Sequence, residues 1–225
     1  MLFRSMAVLF EYPASAAFGR VLPKSKIYEH AEPSSAVKES FIRQVEKIVW
    51  QYKLSPETVN LKETEAVPEI QIFSVLLRTG DLKTEILRCI DNAIPLPVIF
   101  ELLYEGKRKV VAAYKRPAET GSSKWITSEY FESDWQPANS FRQPLPMVLN
   151  LEALYSQLLG SVFPYASRRD ETLKEYVERL ELARSKQKEI EKCQVKLRKE
   201  KQFNRKVDLN SQLRNLMREM EGLTA

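Results

Sequence analysis

Glu69-Ile70-Gln71-Ile72-Phe73-Ser74-Val75-Leu76-Leu77-Arg78 is the stretch on which the fold turns. It is rich in Ile, Val, Phe and Leu and free of glycine and proline, the composition of a strand on a pleated, buried surface. Asp81 follows as the cap of a helix carrying Leu82, Ile86, Leu87 and Ile90, which Pro95 and Pro97 close. Val98–Tyr104 then repeats the strand composition. Strand, helix and strand in succession suit a parallel crossover. Beyond it, Glu105-Gly106-Lys107 separates Val98–Tyr104 from a further strand at 109–114, as a hairpin with glycine in the left-handed turn position.

On the N-terminal side, Ser34 or Ser35 caps a helix whose apolar residues Val37, Phe41, Val45, Ile48 and Val49 recur at three and four, until Ser55-Pro56 ends it. Before that helix, residues 2–10 are apolar enough for a first helix or strand, and 19–31, with Pro23 and two lysines, reads as irregular or extended. On the C-terminal side, 125–131 adds a fourth strand, 137–146 is a proline-bearing linker, and 149–159 is a helix before Pro164. The expected head, residues 1–165, is α+β: a small mixed β-sheet packed with helices, its first strand pair a parallel crossover and the rest a meander.

Residues 168–225 differ in kind. They contain no proline and one glycine, Gly222, and hold 16 Lys or Arg against 11 Asp or Glu, whereas residues 1–167 hold 19 of each. The whole formal charge of +5 therefore resides in this tail. From Leu173 a heptad spacing runs through Tyr176, Leu180, Ala183, Gln187, Ile190, Gln194, Leu197, Lys201 and Asn204. A second seam, Leu209, Leu213, Leu216, Met220 and Leu223, starts five residues later, so the apolar face must change partner, swap sides or turn back near 204–209. With neither glycine nor proline there, the expectation is one uninterrupted helix of about 75–80 Å. Residues 168–223 thus read as a long C-terminal coiled-coil-type helix, a basic arm. Its polar seam positions favour a helical hairpin or an outside partner over an isolated homodimer.

Lys192, Lys196, Lys199 and Lys206 fall near one line of that helix, with Phe203 on the same line. Cations around an exposed ring suit a phosphate backbone with a base against the ring, or an acidic protein; the plain alternative is a solvated face. Lys115 and Arg116 at a strand end form a smaller cationic pair that suits phosphate as well. Glu129, Glu132 and Asp134, interleaved with Tyr130, Phe131 and Trp135, read as an acidic aromatic docking patch or simply as a strand end over core aromatics.

Catalytic signatures are sparse. The six glycines do not cluster, which removes a phosphate-cradling loop and a dinucleotide fingerprint. His30 is the sole histidine, so two-histidine zinc sites are excluded. Cys89 and Cys193 lie far apart in helical patterns and suggest neither a disulfide framework nor a metal site, which fits a reducing cytoplasm. Glu11 cuts the initial apolar stretch to 5–10, shorter than an export signal needs, and no apolar run approaches a membrane span of roughly twenty residues. One enzymatic reading survives: a magnesium-dependent nuclease of restriction type, with Glu69 and Gln71 on one strand face, Glu46, Glu63 or Glu65 as second acid, and Lys53 or Lys115 reaching across, the set Glu46, Glu69, Gln71 and Lys115 being the leading one. Glutamine stands where that chemistry uses lysine.

Several stretches together resemble a bacterial family. They are Leu22-Pro23-Lys24, Gln44-Val45-Glu46-Lys47-Ile48 with Tyr52-Lys53-Leu54, Glu69-Ile70-Gln71-Ile72-Phe73, Ile94-Pro95-Leu96-Pro97, Ala113-Tyr114-Lys115-Arg116, and Lys201-Gln202-Phe203-Asn204-Arg205-Lys206-Val207. The family is the domain of unknown function numbered 4391, and the similarity covers nearly the whole chain. The resemblance implies no catalytic residue. It implies a gene context of helicases and DNA methyltransferases in restriction-like or antiphage clusters. The expectation from residues and resemblance together is a cytoplasmic, non-catalytic accessory or adaptor subunit of a defence or DNA-processing complex. Its arm would engage a helicase-like or methyltransferase-associated partner, or nucleic acid. No cofactor is expected, with magnesium only under the nuclease alternative; a homodimeric structural coiled coil is the other alternative.

Overall fold

The structure, a computed structural model, describes residues 9–118 and 124–225. Most of the initial apolar stretch, 2–8, lies outside the described residues. In chain order the elements are β1 (Leu9–Glu11), a short 3₁₀ turn (Ala14–Ala16), β2 (Ala17–Val21), α1 (Lys24–Ala31), α2 (Ser35–Gln44), β3 (Val45–Leu54) and α3 (Pro56–Val59). Then come β4 (Ile70–Leu77), α4 (Thr84–Ala93), β5 (Val98–Tyr104), β6 (Lys107–Ala112), β7 (Lys115–Pro117), β8 (Trp125–Thr127), β9 (Phe131–Glu132), β10 (Gln136–Pro137) and β11 (Arg142–Pro144). Three helices close the chain, α5 (Leu151–Gly160), α6 (Leu173–Lys199) and α7 (Phe203–Thr224). The chain divides into two compact units at Pro164/Tyr165.

The first unit is built on a mixed sheet with strand order β10-β6-β5-β4-β3-β2, to which β9 adds on β6. β4 and β5 pair in parallel through α4, as the strand-helix-strand pattern requires, and β5 and β6 form an antiparallel hairpin. Glu105 and Gly106 at its tip have φ of 43° and 71°, the two positive values of the mirror-image turn that matches strand twist. The fold is α+β, with long C-terminal helices. Asp81 does not cap α4; the Gln44 side-chain oxygen instead accepts the Lys83 N–H at 3.0 Å, so the cap comes from another element.

The helix expected across 34–55 stops at Gln44. From Val45 the chain becomes β3, clamped between β2 and β4. Val45 and Ile48 are both buried in the same core, three residues apart, because the register slips between Val45 and Lys47. A bulge of this kind inserts one residue and so mimics helical spacing within a strand. The stretch 19–31 is also more regular than expected, since its two ends form β2 and α1.

Helices α1, α2 and α4 cover one face of the sheet. Ile27, Phe41, Ile86 and Ile90 pack there against Phe73, Val75, Phe100 and Val111. Alternation then turns Ser74, Leu76, Glu101 and Leu103 to the opposite face. The β1/β11 pair and Tyr12, whose ring lies 4.8 Å from that of Tyr52, cover only part of it. At the sheet end, Tyr155 of α5 is fully buried; its hydroxyl accepts the Lys115 N–H (3.0 Å) and donates to the Ala113 carbonyl (2.7 Å).

The second unit is an antiparallel hairpin of α6 and α7, so the expectation of one uninterrupted helix is corrected. The chain reverses at Glu200–Gln202, and the helices run about 40 Å and 33 Å at 1.5 Å per residue. Glu200 supplies the stop that glycine or proline would otherwise give. Its carboxylate accepts the N–H groups of Lys201 and Gln202 at 2.8 and 2.9 Å, satisfying donors at the start of α7. Turning back also resolves the offset between the two seams, because α7 lies along α6: Cys193 Sγ approaches the Leu209 carbonyl at 3.5 Å, and Lys186 pairs with Glu219 at 2.9 Å. Tyr176, Leu180, Ala183 and Ile190 are buried, as the heptad spacing demands, whereas α7 buries no residue completely. At the open end, Arg179 binds both oxygens of Glu171 (2.7 and 2.8 Å), the Leu223 carbonyl (2.8 Å) and the Ala166 carbonyl (2.9 Å). No helix among the described residues is long and apolar enough to cross a membrane.

Candidate functional site

The uncovered part of the sheet face forms a groove of about 430 Å³. Ser74 and Glu101, adjacent across the β4/β5 ladder, sit on its floor. Lys47, Arg108 and Arg142 bring cations to it, while Val49, Leu76, Leu103 and Tyr52 supply apolar surface. Glu101 is 2% exposed and lies in a run of otherwise apolar strand residues. A carboxylate can be held there only with partners, and it has two guanidinium groups. Arg142 donates to both its oxygens, at 3.2 and 3.1 Å, and Arg108 donates to one. Burial pushes the Glu101 carboxyl above its ordinary range, and Arg142 pulls it back. The Arg108 Nε is buried without a hydrogen-bond partner.

A second polar cluster is sealed. Lys115 Nζ lies 3.4 Å from the Asp91 carboxylate and donates to the carbonyl oxygens of Asp91 and Ile94, while Tyr130 donates to the other Asp91 oxygen. Lys115 and Asp91 are 2% and 3% exposed. Burial pulls the amine down and pushes the carboxyl up, and the attraction between them opposes both shifts. Lys115 therefore anchors the C-terminal end of α4 to β7, out of reach of a phosphate. Arg116, next along β7, is half-buried.

The nuclease quartet does not assemble. Glu69 and Gln71 do meet, through an Nε2 to Oε2 hydrogen bond of 3.0 Å, but Lys53 from β3 already neutralises Glu69 at 2.8 Å. Glu46 stands at the opposite end of the β3/β4 pair, since Val45 faces Leu77 while Leu54 faces Ile70. At about 3.3 Å per residue that separation is roughly 25 Å, far beyond what one metal ion bridges. Lys115 is committed to Asp91. Gln71 is fully buried, and its Oε1 has no partner. Among the described residues no three His, Cys, Asp or Glu side chains gather as a metal site.

The cations of the arm are exposed, in a new arrangement. Lys192, Lys196 and Lys199 stand at i, i+4 and i+7 on α6 and share a face. Phe203, 77% exposed, and Lys206 belong to the first turn of α7, so the turn at 200–202 interrupts the straight line expected of a single helix. The reversal brings Arg205 and Asp208 opposite Lys196 and Lys199 around a shallow cavity of about 480 Å³. Glu200, the one acid of the run, is spent on the turn, and its hydrogen bonds to the Gln202 and Lys201 N–H groups hold its carboxyl below the usual range.

The groove residues were not singled out from the sequence, although one signal existed. Glu101 interrupts Val-Ile-Phe-Glu-Leu-Leu-Tyr, where a lone charge in a buried strand needs a partner. Arg142 lies in the proline-bearing stretch 137–146, where no local pattern marks it. Nothing local ties it to Glu101, 41 residues earlier.

Compared with known families, residues 10–220 match the model of the Domain of unknown function (DUF4391). The chain belongs to that family. No curated protein and no solved structure matches it.

Proposed function

We propose that this member of the DUF4391 family is a non-catalytic accessory or adaptor subunit of a cytoplasmic DNA-processing complex, of the restriction-like or antiphage kind. Its α+β unit is the docking module, and its helical hairpin grips the phosphate backbone of nucleic acid beside a helicase-like or methyltransferase-associated protein. The observation that carries this reading is the confinement of the net charge to a hairpin on which Lys192, Lys196, Lys199 and Lys206 are exposed, with the ring of Phe203 at the start of α7 exposed as well. Ammonium groups set at helical spacing match a charged backbone without specifying bases, and an exposed ring offers a stacking surface. The dispersal of Glu46, Glu69, Gln71 and Lys115 favours binding over cutting.

Fluorescence anisotropy of the full chain with labelled single- and double-stranded DNA tests the reading. The expected result is affinity that falls steeply with salt and drops at least roughly a hundredfold when the four lysines are reversed to Glu. Unchanged affinity in the reversed variant, or no binding by the wild type at low salt, rejects it. A second reading, homodimerisation, draws on the half-exposed Leu213, Leu216 and Met220 of α7. It requires a doubled mass in light scattering.

A further inference from the structure

We infer that the groove over Ser74 and Glu101 is a binding site for a phosphate monoester carried on a flat apolar body, such as a mononucleotide or the 5′-phosphorylated end of a strand. The inference is independent of the hairpin, because none of its residues lies in the second unit.

Charge comes first. Lys47, Arg108 and Arg142 line the groove against one carboxylate, Glu101, so two positive charges remain in surplus. A phosphate monoester carries close to two negative charges near neutral pH and neutralises that surplus. Hydrogen-bonding capacity points the same way. Glu101 engages one nitrogen of Arg108 and leaves the buried Nε–H without an acceptor. A guanidinium presents five donors in a rigid fork, and phosphate oxygens fit such a fork in pairs. Buried donors in folded chains are rarely left unpaired, so an orphan beside a cationic groove marks a place for a ligand oxygen.

Glu101 keeps this arrangement ready. By holding both guanidinium groups it fixes their planes, which lowers the entropy lost when a ligand arrives. Beyond the charged residues, Val49, Leu76, Leu103 and the ring of Tyr52 give the groove apolar surface, with Gln51 and Ser74 as its neutral polar groups. That surface suits a base or another flat body, and about 430 Å³ lies within the size range of small-molecule sites.

Isothermal titration of the full chain with AMP, adenosine and inorganic phosphate, and with 5′-phosphorylated and 5′-hydroxyl trinucleotides, tests the inference. A phosphorylated probe is expected to bind saturably, with adenosine and inorganic phosphate each at least roughly tenfold weaker. Lys47 is exposed, so Lys47→Glu should leave the melting transition in place while weakening that probe at least roughly tenfold. Reversal of the hairpin lysines should not change AMP affinity, which separates this site from the hairpin. Preference for the phosphorylated trinucleotide over AMP assigns the site to strand ends, and the reverse assigns it to free nucleotides. Adenosine binding as tightly as AMP, an inert Lys47→Glu, or no saturation by either phosphorylated probe overturns it.

Discussion

Arg142 grips Glu101 across 41 residues of chain, donating to its two oxygens at 3.2 and 3.1 Å, and donates also to the Phe10 carbonyl at 2.6 Å. One guanidinium therefore ties β11 and β1 to the centre of the main sheet. Removing one partner of a buried pair leaves the other charge without compensation, which is usually more costly than losing the attraction itself. Arg142→Ala should destabilise the chain by about 3 kcal/mol in urea unfolding, with Arg108 limiting the loss. Adding Glu101→Leu to that variant should recover part of it. Equal stability of the single and double variants would show that the carboxylate is not the source of the cost.

Lys115 gives a prediction that separates structure from binding. Because its ammonium is spent on Asp91 and two carbonyl groups, Lys115→Ala should lower stability by about 3 kcal/mol and leave DNA affinity at the wild-type value. Chemical unfolding and anisotropy on the same preparation read both. Reduced affinity in a chain that melts normally would return Lys115 to the binding surface.

Acid should loosen the hairpin at its open end. The Glu171 carboxyl falls from an ordinary value of 4.5 to about 2, chiefly through its hydrogen bond to Arg179. A folded-state value below the unfolded one means that the contribution is complete above pH 4.5 and is lost as pH falls towards 2. The melting temperature should decline through that window, and Glu171→Gln should flatten the decline. A variant with the wild-type slope would place the acid sensitivity elsewhere.

Two glycines should respond with opposite signs. Gly106 sits at φ 71° in the β5/β6 turn, a backbone region where a Cβ is strained, so Gly106→Ala should cost about 1 kcal/mol. Gly222 lies in α7 with open space where a Cβ would go, and Gly222→Ala should stabilise by up to about 1 kcal/mol. Thermal melts followed at 222 nm decide both.

Leu213 and Leu216 return on α6 and remain half-exposed. Changing both to Gln should reduce helicity in far-ultraviolet circular dichroism. Full helicity combined with a halved mass would instead locate them in a contact between chains.

The parallel crossover, the Glu105-Gly106 turn, the inward face of α6 and the segregation of charge were legible in the sequence. Each is set by a few consecutive residues or by one local period, since propensity and spacing act over that range. Tertiary structure alone decided the rest. Val45–Leu54 became a strand because β2 and β4 satisfy its backbone on both sides, overriding an apolar spacing that a bulge made look helical. The arm folded back because α7 half-buries its seam along α6, a gain that neither helix offers alone. The meeting of Glu101 with Arg108 and Arg142, and the burial of Lys115 on Asp91, depend on partners distant in sequence, and no local pattern encodes such distances.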